Sequence, residues 1–175
     1  MPYDPRIHKR RSIRLSGYDY TQPGAYFVTI VTHRRRHLFG EITAGHMRLS
    51  DRGRIVDACW RRIPCIYQNV EIDEFTIMPN HIHGIVVISE NVGATHWVAP
   101  TNAGSHLNSK SIGSIIGQFK SSATKIINSS RCIPTPHVWQ RNYFEHIVRN
   151  ECELSKIREY IRNNPLQWDI DVENR

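Results

Sequence analysis

At 175 residues the chain suits one domain with a proper core, and its net charge of +7 makes charge placement the first question. Apolar content of 39% is low for a globular chain without being disorder-like, and no run nears the ~20 apolar residues of a membrane helix. The basic N-terminus leads into no apolar signal region, so a cytosolic protein is expected.

Cys59, Cys65, Cys132 and Cys152 show neither a CxxC pair nor a disulfide rhythm, which argues for reduced thiols and against a zinc ribbon. From Met1 to Arg36, eight basic residues (Arg6, Lys9, Arg10, Arg11, Arg14, Arg34, Arg35, Arg36) face only Asp4 and Asp19. Nearly the whole positive excess therefore lies in the first fifth of the chain. Charge so concentrated favours a polyanionic partner, with a solubilising tail as the plain alternative.

Residues 1–20 read as a basic arm, with Arg10 and Arg11 at its centre. After Gly24, the β-branched and aromatic run Ala25 to Thr32 reads as a central strand. His33-Arg34-Arg35-Arg36 then places cations at the strand's mouth, where phosphates could be met. Leu38 to Leu49, broken by Gly40 and Gly45, reads as a short hairpin. Ser50 is an N-cap candidate for a helix carrying Ile55, Val56, Cys59, Trp60 and Ile63, which Pro64 should end.

Val70 to Ile77 and Ile85 to Ile88 are strand-like runs on either side of Met78-Pro79-Asn80-His81-Ile82-His83-Gly84. Pro79-Asn80 is turn chemistry, so the second strand opens with His81 and His83. Alternation puts both imidazoles on one face, about 7 Å apart along the strand. Two neutral imidazoles suit a divalent ion but do not complete its site.

Residues 89–110 lose all periodicity and read as a flexible loop. Ile112, Ile115, Ile116, Phe119, Ala123, Ile126 and Ile127 form a helical stripe, with Gly113 and Gly117 spaced for close packing. Lys120 and Lys125 lie off that stripe and are candidate phosphate contacts, although exposed lysines on such helices commonly have no assignment. His137 to Gln140 and Tyr143 to Val148 read as a strand region. Asn150 with Glu153 caps a last helix that carries Leu154, Ile157, Tyr160 and Ile161 and stops at Pro165.

The order strand, helix, strand, strand, helix, strand, helix predicts an α+β fold: a ferredoxin-like antiparallel sheet with helices packed on it and an added C-terminal helix. On that helix Tyr160 and Asn164 are one turn apart, in register with Ile157, and should face the sheet. A core tyrosine and an end-of-helix asparagine are the plain reading of these two. With the histidine strand in view, Asn164 could instead supply a third ligand beside His81 and His83. The ion, Mg²⁺ or Mn²⁺, would then polarise an electrophile for the Tyr160 phenol.

Three blocks carry a resemblance: Met78 to His83, Trp139-Gln140-Arg141-Asn142-Tyr143-Phe144-Glu145-His146, and Glu159-Tyr160-Ile161-Arg162-Asn163-Asn164-Pro165. Together they resemble the single-tyrosine HUH transposases of the insertion-sequence-200-like group, and most of all the REP-associated tyrosine transposases, from about Tyr26 to Pro165. The resemblance implies a single transposase domain over residues 1–175. It would be a bacterial cytoplasmic enzyme held at the nucleoid through its DNA.

In this reading Tyr160 attacks single-stranded DNA beside hairpins formed by imperfect palindromes, giving a 5′-phosphotyrosine and a free 3′-OH. His81, His83 and Asn164 hold the metal. The expected DNA contacts are Arg10, Arg11, Arg34, Arg35, Arg36, Lys120 and Lys125. Relatives include both monomers and homodimers that exchange the tyrosine, so both states stay open. Tyr143 is the rival nucleophile, and His146 carries no assignment. A domesticated, non-cleaving DNA-binding protein on the same fold is the main alternative, and a histidine metallohydrolase using activated water is another.

Overall fold

A computed structural model describes residues 19–89, 111–129 and 137–174. The basic arm with Arg10 and Arg11, and nearly all of the segment 89–110, lie outside the described residues. The elements run β1 (Gly24–Val31), β2 (Gly40–Thr43), β3 (His46–Leu49), α1 (Asp51–Arg61), α2 (Ile63–Ile66), β4 (Val70–Ile77), β5 (His81–Ile88), α3 (Ile112–Ser129), β6 (Phe144–Val148) and α4 (Glu151–Asn163). Strands β4, β5, β1 and β6 form one antiparallel sheet in that spatial order, and β2 pairs with β3 in a separate hairpin. This is the predicted ferredoxin-like arrangement with an extra C-terminal helix.

Alternation along the two central strands decides what each face carries. Tyr26, Val28, Ile30, Ile82, Val86 and Ile88 point to one side and pack with Val56, Trp60, Ile115, Ile116 and Phe119 from α1 and α3 in the main core. Complete burial of such side chains stabilises by roughly 1.5–3 kcal/mol each. The intervening residues point to the opposite side. There Ile85, with Ala25, Phe27 and Val87, meets Leu154, Ile157 and Ile161 of α4. His81 and His83 belong to this second, thinner layer.

Local details confirm the two caps expected from the sequence, at the starts of α1 and α4. Ser50 Oγ accepts from the Gly53 amide at 3.2 Å, and Asn150 Oδ1 accepts from the Glu153 amide at 2.9 Å. Pro64 does not end the first helix. That helix stops at Arg61, and Pro64 instead opens α2, where a missing N–H costs nothing.

Packing departs from expectation at Ile126 and at Gly117. Ile126 is 43% exposed and lines a groove of about 210 Å³ with Ile63, Ile66, Tyr67 and Ile115. Gly117 faces open space, so no close approach explains it. A close approach under the site lies at Gly84, where a Cβ would sit 2.5 Å from Trp60 Cζ2 and 3.2 Å from Phe75 Cβ.

Candidate metal and tyrosine site

The site is built on β5 where it pairs with β1. His81 lies opposite Val31 and His83 opposite Thr29. The two imidazole centroids are 4.4 Å apart, closer than the backbone repeat alone suggests. Phe27 stacks on the His83 ring at 5.5 Å, and the Trp168 indole stacks on His81 at 6.0 Å. Both rings are therefore fixed from outside as well as by the strand.

Hydrogen bonds settle the tautomer of His81. Asn80 donates through its amide nitrogen to the Glu173 carbonyl at 2.7 Å, which leaves its oxygen to accept from His81 Nδ1, also at 2.7 Å. The proton thus sits on Nδ1, and the bare Nε2 is buried without a hydrogen-bond partner among the described residues. His83 Nδ1 meets Thr29 Oγ1 at 2.8 Å, which likewise turns Nε2 toward the site. Burial pushes His81 down to about 4, against the pull of the Asp171 carboxylate. Burial, and then the charge of His81, hold His83 well below the ordinary histidine range. Both rings are neutral at pH 7, as metal ligation requires.

Helix α4 brings Tyr160 over this pair. Its hydroxyl lies 3.2 Å from His83 Nε2, and the Phe27 ring meets the phenol edge-on. Tyr160 is still 38% exposed, so a substrate can reach the same oxygen. Burial, followed by the Asp171 and Glu173 carboxylates, pushes its pKa up to about 12. The helix is held to β4 on both sides of the tyrosine. Arg158 grips Asp73 through Nε at 2.9 Å, and Arg162 Nε approaches Glu74 at 3.2 Å. Both acidic residues come from an irregularity in β4 between Ile72 and Phe75 that turns them toward α4.

Asn164, at the end of α4, is buried at 1% exposure. Its amide nitrogen donates to Asp171 Oδ2 at 2.6 Å, while its oxygen is buried without a hydrogen-bond partner. Asp171 is the residue that sequence reasoning missed. After α4 the chain makes a 3-10 turn over Asn164–Ile170 and doubles back, so that an Asp171 oxygen lies within 4.8 Å of ligand atoms of both His81 and His83. No helical or strand period links Asp171 to the histidines, and Asp169 two residues earlier looks equally eligible in the sequence. The two neutral imidazoles, the Asp171 carboxylate and the orphaned Asn164 oxygen form a mixed nitrogen and oxygen set that fits a divalent cation.

The remaining expected positions separate. Arg34 and Arg36 are exposed on the turn after β1. Arg35 instead reaches the C-terminal tail, pairing with Glu173 at 2.8 Å and donating to the Val172 carbonyl at 3.0 Å. Lys125 is exposed. The Lys120 amine points into the protein and donates to the Gln140 carbonyl at 2.6 Å, with those of Arg141 and Asn142 nearby. Burial takes its pKa down to about 8. Tyr143 packs against the main core, on the face opposite the histidines. His146 meets Glu153 at 2.7 Å, and Glu153 also accepts the Arg149 amide, so His146 helps close the junction between β6 and α4.

The order of the sheet and the helices packed on it are those of the tyrosine transposase fold. A solved REP-associated tyrosine transposase bound to a REP hairpin matches with a TM-score of 0.60 at 18% identity, covering 88% of this chain and 74% of that one. An uncharacterised protein of Haemophilus influenzae is 43% identical over 173 residues, spanning 97% of this chain and 95% of its own length. The chain belongs to the same family as that Haemophilus protein. No family model matches it. Among the described residues no helix is long and apolar enough to cross a membrane.

Proposed function

We propose that this protein is a metal-dependent tyrosine transposase that cuts and rejoins single-stranded DNA next to hairpins formed by imperfect palindromes. The observation that carries the reading is the Tyr160 hydroxyl 3.2 Å from His83 Nε2, at the edge of a buried cluster of ligand atoms. The fold shared with a transposase bound to a REP hairpin supports the same class of substrate.

In the proposed reaction, Tyr160 Oη attacks a phosphodiester phosphorus. The Oη–P bond forms as the bond to the 3′ oxygen breaks. The phenol gives up its proton, the departing 3′ oxygen takes one up, and the products are a 5′-phosphotyrosine and a free 3′-OH. Attack by a 3′-OH on the same phosphorus reverses the step and rejoins a strand without ATP.

His81, His83, Asp171 and Asn164 would hold Mg²⁺ or Mn²⁺, which supplies Lewis-acid polarisation of the phosphate when bound. In the resting site the phenol oxygen lies within hydrogen-bond distance of His83 Nε2, at the edge of the cluster. Phe27 and the α4 clamps limit its swing. Arg34, Arg36 and Lys125, with Arg10 and Arg11 of the arm, are the proposed phosphate contacts.

The test mixes protein, Mn²⁺ and a labelled single-stranded hairpin, then looks for an SDS-resistant adduct. Wild type should give one, and Tyr160→Phe should lose it while still binding the DNA. A non-cleaving binder gives no adduct with either protein. A hydrolase using activated water keeps cutting in Tyr160→Phe and sinks the proposal.

A further inference from the structure

The C-terminal tail is fastened to the site at three points that no catalytic step uses. Asn80, 1% exposed, spends its oxygen on His81 Nδ1 and its amide nitrogen on the Glu173 carbonyl, so one side chain joins a histidine to the tail. Arg35 pairs with the Glu173 carboxylate and donates to the Val172 carbonyl. The Glu173 amide in turn donates to Asp171 Oδ1 at 2.6 Å. Asp171 Oδ2 is held from the other side by Asn164.

Apolar contact holds this part of the chain mainly through Trp168, whose indole stacks on His81. Leu166, Ile170 and Val172 are 70%, 78% and 60% exposed, so apolar burial adds little beyond Trp168. The Asp171 carboxylate itself is oriented by hydrogen bonds, and the tail after it by the Arg35–Glu173 ion pair.

We propose that Arg35, Glu173 and Asn80 form a clasp that presents the Asp171 carboxylate to the cation held by His81 and His83. The cluster after β1 then divides its labour. Arg34 and Arg36 are left facing outward, while Arg35 is a positioning residue for a metal ligand supplied by residues more than 130 positions later. This inference rests on the divalent-cation reading of the site. It adds that the tail is a working part of that site, and that the arginine cluster and the metal are mechanically linked.

The experiment uses the full chain and two readouts that need no turnover. The first is amide hydrogen exchange over residues 171–174 in EDTA, and the second is a Mn²⁺ titration followed by electron paramagnetic resonance. Arg35→Ala should expose the Glu173 amide to exchange and weaken Mn²⁺ binding by about 10-fold, the lower end of effects seen when a ligand's supporting shell is removed. The paired reversal Arg35→Glu with Glu173→Arg should recover both readouts in large part, which a misfolded single variant could not explain.

Hairpin binding in EDTA should stay near wild type in Arg35→Ala. A large loss there, with Mn²⁺ affinity intact, would make Arg35 a phosphate contact and overturn the clasp. A loosened tail with wild-type Mn²⁺ affinity would overturn the coupling alone and leave the proposed enzyme standing. A wild-type protein that binds no Mn²⁺ would remove both.

Discussion

His81 and His83 are ordinary residues in an unusual electrostatic position: buried, neutral, and each with one nitrogen already committed. Their protonation has two separable consequences. For metal binding, protons compete only where the folded histidine begins to charge, and His81 does so near 4. Mn²⁺ affinity should therefore be almost flat from pH 8 to 6 and fall below about pH 5, whereas an unperturbed pair would begin to weaken near 6.5. For stability, the sign follows from which state holds more protons. Between 6.5 and about 4 the unfolded histidine is charged and the folded one is not. Stability is thus full above 6.5 and is lost as pH falls through that window. Thermal melts of wild type and His81→Gln should diverge least at pH 7 in slope and most between pH 6 and 4.5, where the variant should be less acid-sensitive. Parallel slopes across that range would mean that His81 is not held neutral. Tyr160 adds an opposite bias, since a phenol pushed up to about 12 stays protonated at every working pH.

At the scale of elements, the site depends on β5 lying close under α1 and on α4 lying close over β5. The first contact has almost no slack. Gly84→Ala would drive a methyl into the Trp60 ring and against Phe75 Cβ, and it should cost about 1–3 kcal/mol, as overpacking does. Chemical denaturation should report that loss. The second contact is apolar, through Ile85, Leu154 and Ile161, but ion pairs from α4 to β4 flank it. Arg158→Ala should leave the Tm little changed because the Arg158–Asp73 pair is partly solvated. Adduct formation should nevertheless drop several-fold, because the phenol loses a clamp two residues away. A wild-type adduct rate would show that apolar packing of Leu154 and Ile161 is sufficient to aim Tyr160.

These two contacts also mark how far the sequence could be read. The strand pair around Pro79-Asn80, the Ser50 and Asn150 caps and the inward register of Tyr160 with Asn164 follow local periodicity, and each stands where that periodicity puts it. What escaped was non-local. Gly84 is small because of Trp60, Lys120 turns in to three backbone carbonyls, and Asp171 returns to the site through a turn with no repeat. Arg35 looks identical to Arg34 and Arg36 along the chain, and only the path of the tail distinguishes it.

Taken as a whole, the molecule carries in one chain every group that the proposed reaction names. Tyr160 reaches His83 of its own sheet, Asp171 returns to its own histidines, and the ion pairs from Arg158 and Arg162 tie α4 to the same subunit's β4. Exchange of the tyrosine between subunits would require breaking both ion pairs and lifting Leu154, Ile157 and Ile161 from the sheet. Leu154 and Ile161 in that layer are buried, and exposing each would cost roughly 1.5–3 kcal/mol. The tyrosine should therefore act in cis. The measurement is a mixing assay between Tyr160→Phe, which keeps the ligands, and His81→Ala, which keeps the nucleophile. With the tyrosine in cis, neither protein alone nor an equimolar mixture forms the DNA adduct, and adduct yield in a mixture of wild type with His81→Ala simply follows the wild-type fraction. If the two inactive proteins restore each other, a phenol from one chain must serve the histidines of another, and the α4 contacts described above cannot be those of the working enzyme.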